Sequence, residues 1–210
     1  MPPIEIEIKL DLQNKENFSR LIDYFGIIAE PSRQENHFLD TADRDLSSYG
    51  WAMRLRIENK TATLTLKGLT SSEDGGLATR PEIESQLQLS DANEYLKSGI
   101  RTSQIPAKFR EHLNFLKKSD VLQGMLTFTN YRHRVGWSVE NIEAEIELDE
   151  THFPDGSKDY ELEVELKSKQ QYQAIMNGLA ELLEKNGIAV ISQEKSKFAR
   201  AIMKSIDMAG

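Results

Sequence analysis

The chain has 210 residues with 26 Lys and Arg against 34 Asp and Glu, a formal net charge of −8 and a sequence pI near 5.2, a balance that argues against a generally basic nucleic-acid binder. With 39% hydrophobic and 29% charged residues the composition is that of a globular protein able to bury a core, which excludes intrinsic disorder. The absence of cysteine excludes a disulfide scaffold, a thiolate metal site and a cysteine nucleophile and fits the cytoplasm, while no apolar run approaches the roughly 18 residues of a membrane span and Met1-Pro2-Pro3 leads into a charged strand pattern rather than the apolar run of a signal, so a protein that is not exported is expected.

From Ile4 to Leu12 apolar and charged residues alternate strictly, the period-2 pattern of a strand with two unlike faces. Asn14 is placed as the N-cap of a helix whose Phe18, Leu21, Ile22 and Phe25 form an i, i+3, i+4, i+7 stripe, with Gly26 to end it. A strand is expected near Asn36 to Leu39. Alternation returns over Met53 to Ile57, with Arg54 and Arg56, and over Thr61 to Lys67. Thr70 to Gly76 reads as a flexible loop between strands, with Gly75-Gly76 as a turn. Arg80 to Gln88 is the next strand, with Glu82, Glu84 and Gln86 on one parity.

Short helices are expected over Asp91 to Lys97 and over Pro106 to Lys117, the second with Phe109, Leu113 and Leu116 on one face. Three strands follow: Leu126 to Val135 with Arg132 and Arg134, Ile142 to Asp149 with Glu143, Glu145 and Glu147, and Tyr160 to Lys167 with Glu161, Glu163 and Glu165. The longest helix is expected over Ser168 to Asn186, closed by Gly187, and a last one from about Glu194 to Ile206. With about eight strands, no repeat and no composition shift, the expectation is one α+β domain over residues 1–210 built on an antiparallel sheet.

The polar faces of these strands carry charges of one sign apiece. Glu5 and Glu7, Glu145 to Asp149, and Glu161 to Glu165 are acidic; Arg54 and Arg56, Lys67, and Arg132 and Arg134 are basic. Neighbours on one strand face lie roughly 6.5–7 Å apart, so ionised Glu5 and Glu7 repel each other unless a cation intervenes. Taken singly, each strand is the ordinary pattern of a sheet with one face in water and cross-strand Glu–Arg pairs. Taken together, they suit a sheet closed around a wet, charged interior, since unpaired buried charge is too costly. Such an interior fits a polyanion carrying a divalent cation: Mg²⁺ or Mn²⁺ takes carboxylate oxygens, and phosphate oxygens take Lys and Arg.

The segment Glu5-Ile6-Glu7-Ile8-Lys9 resembles the E-x-E-x-K signature of the CYTH superfamily, the triphosphate tunnel metalloenzymes. Further elements resemble that family's in its order. They are Phe38-Leu39-Asp40-Thr41, Met53-Arg54-Leu55-Arg56, Leu64-Thr65-Leu66-Lys67-Gly68, then Arg80, Glu82 and Glu84, then Arg132, Glu147-Leu148-Asp149, Tyr160 to Glu165, and Ser196-Lys197-Phe198. Each piece is weak and the ordered set, covering essentially the whole chain, is specific. The resemblance implies an eight-stranded antiparallel closed β-barrel, a tunnel with a charged interior flanked by helices. It implies Glu5, Glu7, Glu163, Glu165 and Asp149 as metal-binding carboxylates, with Glu82, Glu84 and Glu147 as supporting acidic residues. Lys9, Glu5 and Glu7 are the expected catalytic set, and Arg54, Arg56, Lys67, Arg80, Arg132, Arg134 and Lys197 the expected triphosphate clamp.

The activity this implies is Mg²⁺- or Mn²⁺-dependent hydrolysis of a small triphosphate, with water attacking the terminal phosphorus. Inorganic triphosphate is the first-choice substrate. Thiamine triphosphatases of the family carry a Trp where this chain has Ala52; Trp51, one residue off, has the parity of a packing residue. The alternatives are a class IV adenylate cyclase and a non-catalytic polyphosphate-binding module. The four histidines, His37, His112, His133 and His152, have no metal-like spacing. Neither nucleic acid nor membrane is an expected partner, and oligomeric state is not legible.

Overall fold

The computed structural model describes residues 2–73 and 76–207. In chain order the elements are β1 (Ile4–Asp11), α1 (Lys15–Tyr24), β2 (Ser32–Asp40), α2 (Asp45–Ser48), β3 (Ala52–Glu58), β4 (Thr61–Lys67), β5 (Ser71–Glu73) and β6 (Leu77–Leu87). They continue with α3 (Leu89–Ser98), β7 (Ile100–Arg101), α4 (Ala107–Arg110), β8 (Val121–Val139), β9 (Ile142–His152), β10 (Lys158–Glu165), α5 (Tyr172–Lys185) and α6 (Lys197–Asp207). The class is α+β on antiparallel strands, as the alternation implies. Eight strands match the expected ones, and β5 and β7 are short additions among the described residues.

Contacts gather the chain into two compact units: Met1–Ile4, Arg33–Leu69 and Arg80–Thr129 form the first, and Glu5–Ser32, Thr70–Thr79 and Asn130–Gly210 the second. In the first unit β2, β3, β4 and β6 pair in sequence order, with Arg54 opposite Thr65, Arg56 opposite Asn36 and Thr63, and Lys67 opposite Glu82. The register puts Met53, Leu55, Leu64, Leu66 and Ile83 on the other face, buried with Ala92 of α3, Phe109 of α4 and Leu122. Period-2 alternation produces this split directly, since one parity leaves water and the other keeps its charges.

In the second unit β1 pairs with β10 and β10 with β9, aligning Glu7 with Glu165, Lys9 with Glu163, Asp11 and Asp149 with Glu161, and Glu163 with Glu147. The opposite face buries Ile8, Leu10, Ile146, Leu148, Leu162 and Val164 under Phe18 and Leu21 of α1 and Ile175, Leu179 and Leu183 of α5. Asn14 caps α1 as expected, accepting from the Asn17 amide at 2.9 Å. Gly187 ends the α5 segment with φ +67°, and the Ile188 amide returns to the Leu183 carbonyl.

Three expectations are corrected. The helix expected over Pro106 to Lys117 is helical only at Ala107–Arg110; beyond it the chain turns by i to i+3 bonds, such as His112 to Phe109 and Leu116 to Leu113. Its apolar stripe still meets the core, because Phe109 and Leu113 bury through irregular turns as well as through a helix. The last helix starts at Lys197 rather than near Glu194, since the Ser196 hydroxyl accepts from the Ala199 amide at 3.1 Å and acts as its cap. Within Thr70 to Gly76, residues 71–73 form a strand with Leu77–Thr79 rather than a loop, and Asp74 and Gly75 lie outside the described residues. Gly76 has φ +80°, and a Cβ there would stand 2.5 Å from the Lys9 carbonyl oxygen, so glycine permits the close approach that lets Gly76 accept from the Lys9 amide.

Among the described residues no helix is long and apolar enough to cross a membrane.

Candidate functional site

In the second unit the charged face is a cross-strand network centred on Arg132. Asp149, with no exposed surface, accepts from Arg132 Nε at 2.7 Å on one oxygen and from Nη2 on the other. Arg132 also reaches Glu163 at 2.6 Å and Glu147. A planar guanidinium suits this arrangement because its fork meets several carboxylates at fixed angles. Lys197, first residue of α6, places its ammonium 2.9 Å from Asp149, 2.8 Å from Glu163 and 3.3 Å from Glu161. On β1, Lys9 Nζ lies 3.4 Å from Glu7 Oε1, so one member of the i, i+2 acidic pair is met by a cation on its own strand face. Arg134, nearer solvent, faces Glu147 at 3.2 Å and Glu145 at 3.7 Å.

Charge and burial divide these carboxyls. Burial alone would raise Asp149 and Glu163, but Arg132 and Lys197 outweigh it and hold both below the usual carboxylate range. At Glu161 burial wins: with Glu163 adding to it and Lys197 and Arg200 opposing it, the carboxyl is pushed up to about 7. Burial likewise raises Glu147 against the pull of Arg132. Lys197 would be lowered by burial, and Asp149, Glu161 and Glu163 raise it instead.

The first unit carries a smaller, more basic face. Glu82 gathers Lys67, Arg54 at 3.8 Å and Arg80 at 3.6 Å. Arg54 also approaches Glu84 at 3.6 Å and donates to Thr65 Oγ1 at 3.3 Å. Arg56 donates from Nε to the buried Asn36 at 3.0 Å. Glu82 and Glu84 are thus the carboxylates that these cations face. Asp40 of the Phe-Leu-Asp-Thr element acts structurally: it accepts from the amides of Thr41, Leu46 and Ser47 and from the Ser47 hydroxyl, which builds the turn into α2.

Within the first unit lie Arg54, Arg56, Lys67, Arg80, Glu82 and Glu84; within the second lie Glu5, Glu7, Lys9, Arg132, Arg134, Glu147, Asp149, Glu163, Glu165 and Lys197. Sequence reasoning assigned no role to Arg200, to Glu161 beyond its strand, or to Asn36. Arg200 is buried and pairs with Glu161 at 2.5 Å and Asp159 at 2.8 Å. Its spacing from Lys197, i to i+3 on one helix, was the available signal.

Among the described residues no three acidic or imidazole side chains converge to hold a metal ion. The donor chemistry fits one: Glu5, Glu7, Glu163 and Glu165 share the charged face of the β1–β10 pair, and carboxylate oxygens are the donors hard divalent cations take. As placed, Glu7 is turned to Lys9, and Glu163 to Lys197 and Arg132. The histidines lie elsewhere: His37 contacts Thr127, His133 lies beside Phe18, His112 beside Trp51, and His152 contacts Glu150. Trp51 packs against the apolar core of the first unit, as its parity implies.

Carboxylate-rich strand faces in the second unit and a cation-rich face in the first, on antiparallel strands, carry over most of the chain the ordered motifs of one family. The CYTH domain family matches residues 3–201, and the chain belongs to that family. No curated protein matches the sequence. Among solved structures it is similar to a putative adenylyl cyclase from Hippeastrum reported to have a dominant triphosphatase activity, at 25% identity over 95% of each chain with a TM-score of 0.81. It is also similar to a putative adenylate cyclase from Bacillus halodurans, at 27% identity over 94% of this chain and 97% of that one, TM-score 0.69. A third likeness, to PH1819 from Pyrococcus horikoshii, has 22% identity over 94% and 99%, TM-score 0.59, and concerns the fold alone.

Proposed function

We propose that this protein is a divalent-metal-dependent triphosphatase of the cytoplasm, that residues 1–210 work as one functional domain, and that inorganic triphosphate is its substrate. The reaction adds water to the terminal phosphorus and breaks the bond to the bridging oxygen, giving diphosphate and phosphate. The observation that carries this reading is that each expected clamp cation is held by a neighbouring polar side chain, as Arg56 is by Asn36, Lys67 by Glu82, Arg132 by Asp149 and Lys197 by Glu163. Cations fixed in this way meet a polyanion without first being ordered, and positioning with charge neutralisation is most of what phosphoryl transfer asks of a protein.

In this reading Arg54, Arg56, Lys67, Arg80, Arg132, Arg134 and Lys197 hold the phosphate oxygens. Glu5, Glu7, Glu163 and Glu165 would hold the divalent cation, with Asp149 as an anchor for Arg132 and Lys197. When bound, Mg²⁺ or Mn²⁺ supplies Lewis-acid neutralisation of the phosphate charge and a lowered pKa for water. Glu5 and Glu7 contribute carboxylate oxygens toward which a proton of the attacking water moves, and Lys9 balances their charge. The packing of Trp51 away from the charged face favours a substrate recognised through its phosphates.

The adenylate cyclase reading has support in what two of the structural neighbours are called. A panel of inorganic triphosphate, ATP, thiamine triphosphate and long-chain polyphosphate, each with Mg²⁺ and with Mn²⁺ and with product analysis, separates the readings. Phosphate release, fastest from inorganic triphosphate, is expected. Cyclic AMP with diphosphate from ATP would make the protein a cyclase, and tight binding without turnover a binding module. The Glu5→Gln, Glu7→Gln double variant is expected to fold and to lose metal-dependent turnover; full activity would remove the site assignment.

A further inference from the structure

Helix α6 carries Lys197, Arg200 and Lys204 at i, i+3 and i+7, a single face of the helix. Strand β10 carries Asp159, Glu161 and Glu163 at i, i+2 and i+4, a single face of the strand. The two ladders have similar pitch, since three or four helical residues rise about 4.5–6 Å and two strand residues about 6.5–7 Å. They mesh in order. Lys204 meets Asp159 at 2.8 Å, Arg200 meets Asp159 and Glu161, and Lys197 meets Glu161 and Glu163.

Lys197 stands at the first position of α6, whose first turn holds no acidic residue. A cation there opposes the helix dipole, so its position is held by the carboxylates and not by any gain to the helix. A lysine ammonium sits on a flexible four-carbon stem and has no preferred direction of its own. Its location is therefore set by where the first turn of α6 is fastened. Arg200 is that fastening. Its Nη1 donates to the Lys195 carbonyl at 2.7 Å, holding the segment that leads into the helix, and its Nη2 donates to Glu161 Oε2 at 2.5 Å. Nε lies 2.8 Å from Asp159 Oδ2. Glu161 Oε2 also faces Lys197, so Arg200 shares this carboxylate and leaves Lys197 directed mainly at Asp149 and Glu163.

We propose that Arg200 is a positioning residue of the triphosphate site: by tying the entry of α6 to β10 it fixes Lys197 where a phosphate oxygen is to be met. This rests on the reading of Lys197 as a clamp residue. Arg200 touches no substrate in this scheme and acts only through Lys197 and Glu161.

The test uses the full chain as wild type, Arg200→Gln, Arg200→Lys and Lys197→Gln. One reading is the rate of Lys197 acetylation by trace acetic anhydride, followed by mass spectrometry with Lys204 as an internal reference. The other is the affinity for inorganic triphosphate by calorimetry, together with KM and kcat. In Arg200→Gln, Lys197 acetylation and the triphosphate Kd are each expected to rise about tenfold, with KM following Kd and kcat little changed. Arg200→Lys, which keeps the charge and loses the fork, is expected to fall between. It replaces the Gln variant if that one does not fold. Wild-type values of both readings in the folded variant overturn the proposal, as does equal exposure of Lys197 and Lys204, which would mean that Arg200 merely holds the whole helix down. A wild type that binds no triphosphate overturns the clamp reading itself, and the acetylation ratio then still decides whether Arg200 positions Lys197.

Discussion

Arg132 and Asp149, seventeen residues apart and on different strands, form a two-bond fork with Asp149 wholly out of water. With Asp149 fully buried its charge depends on its cation partners, so the pair is the electrostatic keystone of the second unit's charged face. Glu163 and Lys197 attach to it from β10 and α6.

Asp149→Asn keeps the shape and removes the charge that faces both Arg132 and Lys197. Breaking one side of a buried pair costs about 3–5 kcal/mol, and a loss of that size is expected in urea unfolding at neutral pH. The loss should shrink in acid. Arg132 and Lys197 hold Asp149 below its ordinary range, so its contribution is present above its unfolded pKa and disappears as pH falls through the folded one. A neutral-pH loss below about 1 kcal/mol, the scale of an exposed pair, would contradict the keystone role.

Glu161 gives the opposite slope. Its carboxyl is raised by burial from 4.5 to about 7, so between those values the folded chain keeps a proton that the unfolded chain has shed. The stabilisation from this group is complete below about 4.5 and is lost as pH rises through about 7. Glu161→Gln resembles the protonated form throughout. Compared by unfolding midpoint at about pH 5 and about pH 8, the variant is expected to lack part of the wild-type decline across that window. Parallel pH profiles would show that Glu161 titrates as an ordinary carboxylate.

Asp40 and Arg56 should separate stability from binding. Asp40 is buried with four accepted hydrogen bonds, and Asp40→Ala is expected to cost about 2–3 kcal/mol in thermal or urea unfolding while leaving the KM for triphosphate within about twofold. Arg56→Met is expected to raise that KM about tenfold with little change in unfolding. Reversed results would move the Phe-Leu-Asp-Thr element into the binding machinery and Arg56 out of it.

Which parity of each strand keeps its charge is legible from residue order alone, because alternation is a local property and burial sorts the two faces the same way in any register that keeps parity. That made the α+β class, the eight long strands, the α1 cap at Asn14 and the packing of Trp51 legible. The same residue order made some strand faces mainly acidic, as at Glu161, Glu163 and Glu165, and others mainly basic, as at Arg54 and Arg56. Helix limits were less legible where an apolar stripe could bury without helical hydrogen bonds, as at Phe109 and Leu113, or where a single hydroxyl sets the start, as at Ser196.

Which charges meet depends on long-range pairing and packing. Lys9 opposite Glu163, Arg132 in the fork of Asp149, and Glu82 shared by Lys67, Arg54 and Arg80 follow from strand register, and a shift by two residues would keep every parity and change every partner. Arg200 is the clearest case: its spacing from Lys197 places it on one helix face, but its partners Asp159 and Glu161 are set by the packing of α6 along β10. The difference between Asp149, held low, and Glu161, held near neutrality, has the same origin. Both are carboxyls removed from water, and the balance between burial and the cations that long-range packing brings to each sets their charge.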